Sequence, residues 1–307
     1  MAESLNEVVK IFGGKFPIHR LDGITFAIDY AAALQELDRG LGVDRGIDPS
    51  AGANPNGVAM PLAVRRDDGI KTHVVLRGYL AEQLISEDET QSGEAISVIS
   101  YCLGTAAFNA LVEGKFPGTL LSLYPDPYEG WLYRYNDALP ATYFSTRLVA
   151  PSMKTLEFYS EQAHLQLEQM ISVTKDAYAE YNEDGDHERF FETCAAHVSG
   201  FMAAMARFFA ARASMIGPHR SHGLLDQTLI QLELWKWSKL FEEDLAAFDR
   251  RLEDWTSLDE VFFLNRHFER FLFEVGVLPD QMNDGSLYVH ASGEHRLSTR
   301  RGTKRLL

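Results

Sequence analysis

The sequence has little cysteine and no long uninterrupted apolar segment. Only two of its 307 residues are cysteines, Cys102 and Cys194, and both fall in apolar helical patterns that are typical of buried, reduced thiols. No stretch approaches the ~18 consecutive apolar residues that a membrane-spanning helix needs. These features exclude a disulfide-rich scaffold, and they predict a protein of the reducing cytoplasm with no part in a membrane.

Basic residues are scarce, because 29 lysines and arginines face 44 aspartates and glutamates, for a net charge of −15. This balance argues against general binding to nucleic acid or to anionic membranes. The last twelve residues are an exception, with five basic residues and no acidic one. The basic residues of this tail are Arg296, Arg300, Arg301, Lys304 and Arg305. The tail is either a solvated chain end or an arm. As an arm we expect it to contact acidic protein surface, since the negative body repels polyanions.

Several sequence signatures of catalysis are also missing. The chain contains no Gly-x-Ser-x-Gly, no Walker-type Gly-x-x-x-x-Gly-Lys and no dinucleotide-binding glycine pattern. No residue next to Cys102 in sequence would lower the pKa of its thiol, so a cysteine nucleophile is not expected there.

The first 150 residues mix strand and helix patterns. Two apolar runs, Gly57–Val64 and Ile70–Leu76, flank an Asp-Gly step and predict a hairpin with a type I′ turn. Apolar residues at three- and four-residue spacing predict a helix from Gly93 to Val112, capped by Ser92. Residues 40–56 and the proline- and aromatic-rich residues 115–140 are predicted to be loops.

Helical patterns dominate the rest of the chain. They predict helices over residues 141–180, 187–215, 223–253 and 257–275. The fold class is therefore α+β and helix-rich. We expect an α+β domain over residues 1–150, a helical domain over 151–285, and a short strand with the basic tail over 286–307.

Two hexapeptides in this order of elements resemble the zincin-like metallopeptidases, in particular the intracellular ImmA/IrrE class. The first is Tyr101-Cys102-Leu103-Gly104-Thr105-Ala106, in the predicted helix after the hairpin. The second, on the following helix, is Thr142-Tyr143-Phe144-Ser145-Thr146-Arg147. The resemblance covers about 90 residues and implies a zincin-like N-terminal part followed by a helical C-terminal part.

The same resemblance implies that the chemistry has been lost. In that family a His-Glu-x-x-His helix supplies two zinc ligands and the general base, and a glutamate on the next helix completes the metal site. Here Tyr101 and Thr105 replace the histidines, Cys102 replaces the base, and Thr142 replaces the third ligand. We expect no metal and no cofactor at this position. The competing interpretation is a core helix in which Gly104 permits close packing.

Other candidate residues are isolated. Cys194 and His197 form a Cys-x-x-His pair, which indicates either half of a metal site or a buried cysteine beside a core histidine. Tyr143 and Arg147 match the resembled family and are kept as candidate binding residues.

These observations predict a catalytically inactive, zincin-like binding or regulatory subunit of a cytoplasmic bacterial complex. The resemblance implies a role in stress or phage-defence regulation. Aromatic-rich helical stretches over residues 224–248 and 261–275 favour a protein partner or a homo-oligomer. The alternative is an enzyme of another class, with its site in the 115–140 loop or in the helical domain.

Overall fold

The chain divides into two compact units. A computed structural model describes residues 1–41, 57–121, 127–149, 153–215, 223–252, 254–257, 259–282, 287–292 and 295–303. Unit 1 comprises Met1–Leu123 and Phe144–Val149, and unit 2 comprises Tyr124–Tyr143 and Ala150–Leu307. The sequence predicts a domain boundary at residue 150. The division found here differs, because residues 124–143 belong to unit 2. The fold is helix-rich α+β.

Unit 1 is built on a three-stranded sheet. Its elements are α1 (Ala2–Gly13), β1 (Leu21–Ala27), α2 (Tyr30–Glu36), β2 (Ala59–Arg66), β3 (Gly69–Arg77), α3 (Tyr79–Leu84), α4 (Glu89–Lys115) and a 3₁₀ turn (Thr119–Leu121). The strand order is β1-β3-β2, with β1 parallel and β2 antiparallel to the central β3. The predicted 40–56 loop lies outside the described residues beyond position 41.

The predicted hairpin is confirmed as β2 and β3, but its turn type was wrong. Arg66 pairs with Gly69 across the turn. A type I′ turn needs positive φ at both central residues, here Asp67 and Asp68. The positive φ falls instead on Gly69, at 119°. Glycine therefore serves the strand that follows the turn, where a side chain would be strained.

The predicted helix over 93–112 is confirmed within the longer α4. Its N-cap is Asp88 rather than Ser92, since the Asp88 carboxylate accepts a 2.8 Å hydrogen bond from the Thr90 backbone N–H. The buried side chains Ile99 and Leu103 pack in one core with Val74 and Leu76 of β3. The core of unit 1 therefore lies between this helix and one face of the sheet.

Unit 2 is dominated by helices. Its elements are α5 (Pro127–Asn136), the first half of α6 (Ala138–Val149), α7 (Met153–Asp184), α8 (His187–Ser214), α9 (Leu224–Gln231), α10 (Trp235–Arg250), α11 (Asp259–Phe262), α12 (Asn265–Glu274), β4 (Val277–Gln281), β5 (Leu287–Ala291) and α13 (Arg296–Thr303). The pair α7 and α8 is joined through Gly185, whose φ of 73° suits glycine at a helix end.

The prediction of a loop over 115–140 was wrong, because most of its described part is helical. Within α5, Trp131 and Tyr135 lie one turn apart and both pack on Phe191, at ring-centroid distances of 4.3 and 5.6 Å. Tyr135 also stacks on Phe268 at 5.7 Å. The aromatic residues that suggested an irregular loop are the buried face of a helix.

The predicted helix over 223–253 was also wrong in its continuity. It is broken into α9 and α10 at Glu233, whose φ is 62°. The Leu234 N–H bonds to the Leu229 carbonyl at 2.8 Å and closes the end of α9. No glycine or proline marks this break in the sequence. The predicted helix over 257–275 is likewise divided into α11 and α12, and that over 141–180 falls on parts of α6 and α7.

Two described helices, α4 and α8, are long and apolar enough to cross a membrane. However, 56% and 67% of their most apolar windows are buried within the protein. A helix that is apolar around most of its circumference is expected at the centre of a folded unit. The burial therefore agrees with core helices of a soluble protein.

Candidate functional site

The region that resembles the zincin helix is occupied by packing. Cys102 is only 1% exposed, and burial raises the pKa of its thiol to about 12. A thiol in this state is protonated at neutral pH and is not a nucleophile. Tyr101 is half-buried beside it and packs against the core of unit 1.

Gly104 and Thr105 contact the part of α6 that belongs to unit 1. A Cβ added to Gly104 would lie 3.0 Å from Cα and Cβ of Ser145. The Thr105 and Ser145 hydroxyl oxygens are 3.1 Å apart and share a hydrogen bond. The two helices approach closely here, as the core-helix interpretation of Gly104 requires.

Three other residues of the second hexapeptide differ in burial and belong to different units. Thr142 and Tyr143 are buried in unit 2, with exposures of 4% and 2%. Arg147 is exposed in unit 1.

Cys194 and His197 lie one turn apart on α8, in the core of unit 2. Cys194 is fully buried, and burial raises the pKa of its thiol to about 12. Burial also lowers the pKa of the half-buried His197. Among the described residues, no group of three or more His, Cys, Asp or Glu side chains is arranged to hold a metal ion.

The described part of the basic tail packs on unit 2 as α13. The guanidinium of Arg296 lies 3.6 Å from the ring centre of Phe273. Arg300 reaches the buried Glu274 carboxylate at 3.0 Å and donates to the Leu232 carbonyl at 3.2 Å. The side chain of Arg301, and all of Lys304 and Arg305, lie outside the described residues.

A cluster that the sequence analysis missed joins a hydroxyl, an imidazole and a carboxylate in unit 1. Nε2 of His73 lies 2.9 Å from Oγ1 of Thr25, and Nδ1 of the same ring lies 2.9 Å from Oδ2 of Asp22. The His73 and Asp22 side chains are 14% and 15% exposed, and Thr25 is half-buried. The groups are thus fixed by neighbours but still reach the surface.

A β-bulge places these residues on one face of the sheet. Leu21 pairs with Thr72 and Gly23 pairs with His73, so Asp22 is the extra residue of β1. A bulge re-aims side chains, and it lets Asp22 and Thr25 approach the same ring. Gly23 lies directly against that ring, because an added Cβ would come within 3.1 Å of its Cε1.

Arg66 completes the arrangement from β2. Its Nε and Nη2 donate to the two carboxylate oxygens of Asp22, each at 2.8 Å. This bidentate bond is the main cause of the lowered pKa of Asp22, and a hydrogen bond from His73 contributes further. Asp22 is therefore ionised at neutral pH and only accepts hydrogen bonds.

The charge of Asp22 selects one tautomer of neutral His73. Because an ionised carboxylate has no proton to give, Nδ1–H of His73 donates to Asp22. Nε2 then carries the lone pair, and the Thr25 hydroxyl donates to it. A hydroxyl, a basic ring nitrogen and an orienting carboxylate in this order form the arrangement that activates a nucleophile.

An open, polar depression of about 600 Å³ lies beside the cluster and includes Asp22 and Arg66 in its wall. Its other lining residues carry both signs of charge: Asp38, Gly40, Arg65, Asp67, Asp68 and Lys71. Lys71 pairs with Asp68 at 2.7 Å. The depression has no strong preference for a cation or an anion.

The sequence signal for this cluster is weak. His73 is a polar residue inside an apolar strand run, and Asp22-Gly23 interrupts another strand pattern. The two segments are about 50 residues apart, and only the parallel pairing of β1 with β3 brings them together. No family model, curated protein or solved structure matches this chain.

Proposed function

We propose that this chain is a binding or regulatory protein that uses a zincin-like framework without its peptidase chemistry. It would act in the bacterial cytoplasm, as a homo-oligomer or as a subunit of a complex. A role in stress or phage-defence regulation is what the family resemblance implies. The observation that supports the proposal best is the packing of Gly104 and Thr105 against Ser145.

That packing bears on catalysis because a hydrolytic zinc site needs three protein ligands and an open position for water. Instead, Cys102 faces a closed core and Thr105 bonds with a neighbouring hydroxyl. Neither tyrosine nor threonine supplies the neutral nitrogen ligands that the family uses. A helix that binds no metal can still support the fold through its packing.

Metal analysis tests the loss of peptidase chemistry. Purified protein incubated with zinc and then dialysed should retain far less than one zinc per chain, and it should not cleave a general peptide substrate. Retention of about one zinc per chain by the wild-type protein would contradict the proposal. The variants Cys194→Ala and His197→Ala would then show whether the ion is held on α8.

Light scattering tests the proposed assembly. At micromolar concentration the mass should exceed the 34.6 kDa of one chain. Measurement at low and high salt shows whether charged surfaces contribute, since added salt screens them. A monomer at every concentration and salt level would count against self-association and leave only the hetero-complex form of the proposal.

A further inference from the structure

We propose that Thr25, His73 and Asp22 form an acyl-transfer site for oxygen esters or thioesters, with the Thr25 hydroxyl as nucleophile. The inference goes beyond the proposed function and does not depend on it. It stands on the cluster of unit 1, which lies on the sheet face away from α4. It would hold whether or not the helix Glu89–Lys115 once carried a metal.

The connectivity within the cluster carries the proposal. The hydroxyl meets Nε2 and the carboxylate meets Nδ1, both at 2.9 Å. A general base must lie within about 2.6–3.2 Å of the proton that it accepts, and a third group must hold the base in the right tautomer.

Three separate features of the chain hold this arrangement in place. The bulge turns Asp22 toward the ring, Gly23 leaves the ring room to lie against the backbone, and Arg66 keeps the carboxylate ionised and fixed. Asp22 and Arg66 are positioning residues, whereas Thr25 and His73 would touch the reacting atoms. The His73 and Asp22 side chains are 14% and 15% exposed, so the cluster is not sealed in the core.

The proposed reaction has two balanced halves. Oγ1 of Thr25 forms a bond to the acyl carbon while its proton passes to Nε2 of His73. The bond from the acyl carbon to the leaving oxygen or sulfur then breaks with its electron pair, and the leaving group takes the proton from Nε2. Water attacks the resulting threonyl ester by the same route, which releases a carboxylic acid and restores the hydroxyl.

A fluorophosphonate probe tests the nucleophile directly, because it bonds irreversibly to activated hydroxyl groups. The full-length protein is incubated with the probe, and peptide mass spectrometry locates the adduct. The proposal expects one adduct, on Thr25. No adduct on the folded protein, or an adduct at another residue only, would overturn it. The mapped position decides the question even if a variant fails to fold.

Matched variants then separate chemistry from structure. Thr25→Val keeps the shape of the side chain and should abolish labelling, while Thr25→Ser keeps the hydroxyl and should retain it. His73→Gln should slow labelling by at least about 100-fold. The controls Thr90→Val and His19→Gln alter an exposed hydroxyl and an exposed imidazole of the same unit and should label like wild type.

Turnover of p-nitrophenyl acetate provides the second readout. Wild type should release p-nitrophenol faster than Thr25→Val, and Asp22→Asn should lower the acylation rate, since the ring would lose its tautomer control. Equal rates for wild type, Thr25→Val and His73→Gln, with all three folded by circular dichroism, would reduce the cluster to a structural hydrogen-bond network.

Discussion

Each unit contains an aspartate that binds one arginine and one histidine, and the two sets differ in their surroundings. In unit 1, Asp22 binds Arg66 and His73 at a part-exposed sheet face. In unit 2, Asp244 binds Arg266 and His267, and the His267 side chain is only 2% exposed. The same three residue types therefore surround a part-exposed histidine in unit 1 and a buried histidine in unit 2.

The surroundings decide what each histidine can do. The second ring nitrogen of His73 meets a hydroxyl, whereas the His267 ring lies among aromatic rings, 4.9 Å from Phe241 and 6.1 Å from Trp237. Desolvation lowers the pKa of His267 against the opposing effect of Asp244. A buried neutral imidazole with a carboxylate partner stabilises a fold, while an oriented one at the surface is available for chemistry.

The largest expected effect comes from removing the aromatic wall of the buried set. Phe241 is fully buried against His267, and Phe241→Ala should lower the free energy of unfolding by about 3–5 kcal/mol through lost transfer energy and cavity formation. Phe158→Ala is the matched control, because that ring is 54% exposed, and it should change stability by about 0.5 kcal/mol or less. Urea unfolding measures both. Similar values for the two variants would mean that the surroundings of His267 are not a packed core.

A comparison of the two aspartates gives the next largest difference. Asp244→Asn should cost about 3 kcal/mol, because it leaves the buried His267 without its carboxylate partner. Asp22→Asn should cost about half as much, since its histidine partner is less deeply buried, with a side chain 14% exposed against 2% for His267. Equal losses in urea unfolding would show that exposure does not separate the two sets.

Two glycines of α4 test how closely the core of unit 1 is packed. Unit 2 fills its core with aromatic rings instead. Gly104→Ala should destabilise by about 1–3 kcal/mol, because the new methyl meets the backbone of Ser145 at 3.0 Å. Gly93→Ala meets nothing within 4 Å and should stabilise by about 1 kcal/mol or less through helix propensity. Thermal unfolding of both variants gives the sign. A stabilising Gly104→Ala would contradict the close approach of α4 to Ser145.

The smallest expected effect is a difference in the pH at which the two sets lose their contribution to the free energy of unfolding. The pKa of folded His267 lies below its ordinary value of 6.5, so the unfolded chain binds the proton at higher pH than the folded chain does. Stability is therefore complete above about pH 6.5 and falls as the pH drops below it, by up to ~1.4 kcal/mol per pH unit for one histidine. The pKa of Asp22 lies below 3.8, so its stabilisation persists until the pH falls past that value.

The variant His267→Gln checks the assignment. Its stability should fall less steeply than that of wild type between pH 6.5 and 4.5 in urea unfolding. His197 and His295, whose pKa values are also lowered by burial, remain in the variant and leave part of the slope. An unchanged slope would assign the acid sensitivity to those two histidines.

Local elements were predictable where the sequence period was clear. The hairpin β2–β3 follows from the Asp-Gly step between two apolar runs, and the body of helix α4 follows from three- and four-residue spacing. The break at Glu233 and the helix α5 were missed. In α5, tertiary contacts outweighed the local pattern, since aromatic side chains of a proline-rich segment pack on Phe191.

The sequence by itself determined the helix-rich α+β class, the buried state of both cysteines and the absence of histidines from residues 101–106. These properties depend on residue type and on the spacing of near neighbours, and both are visible in the sequence. Only the tertiary structure decided that Thr25, His73 and Asp22 meet. They come together through the β-bulge in β1 and the parallel pairing of β1 with β3. The two segments are about 50 residues apart in the chain, and no local preference specifies contacts across that separation.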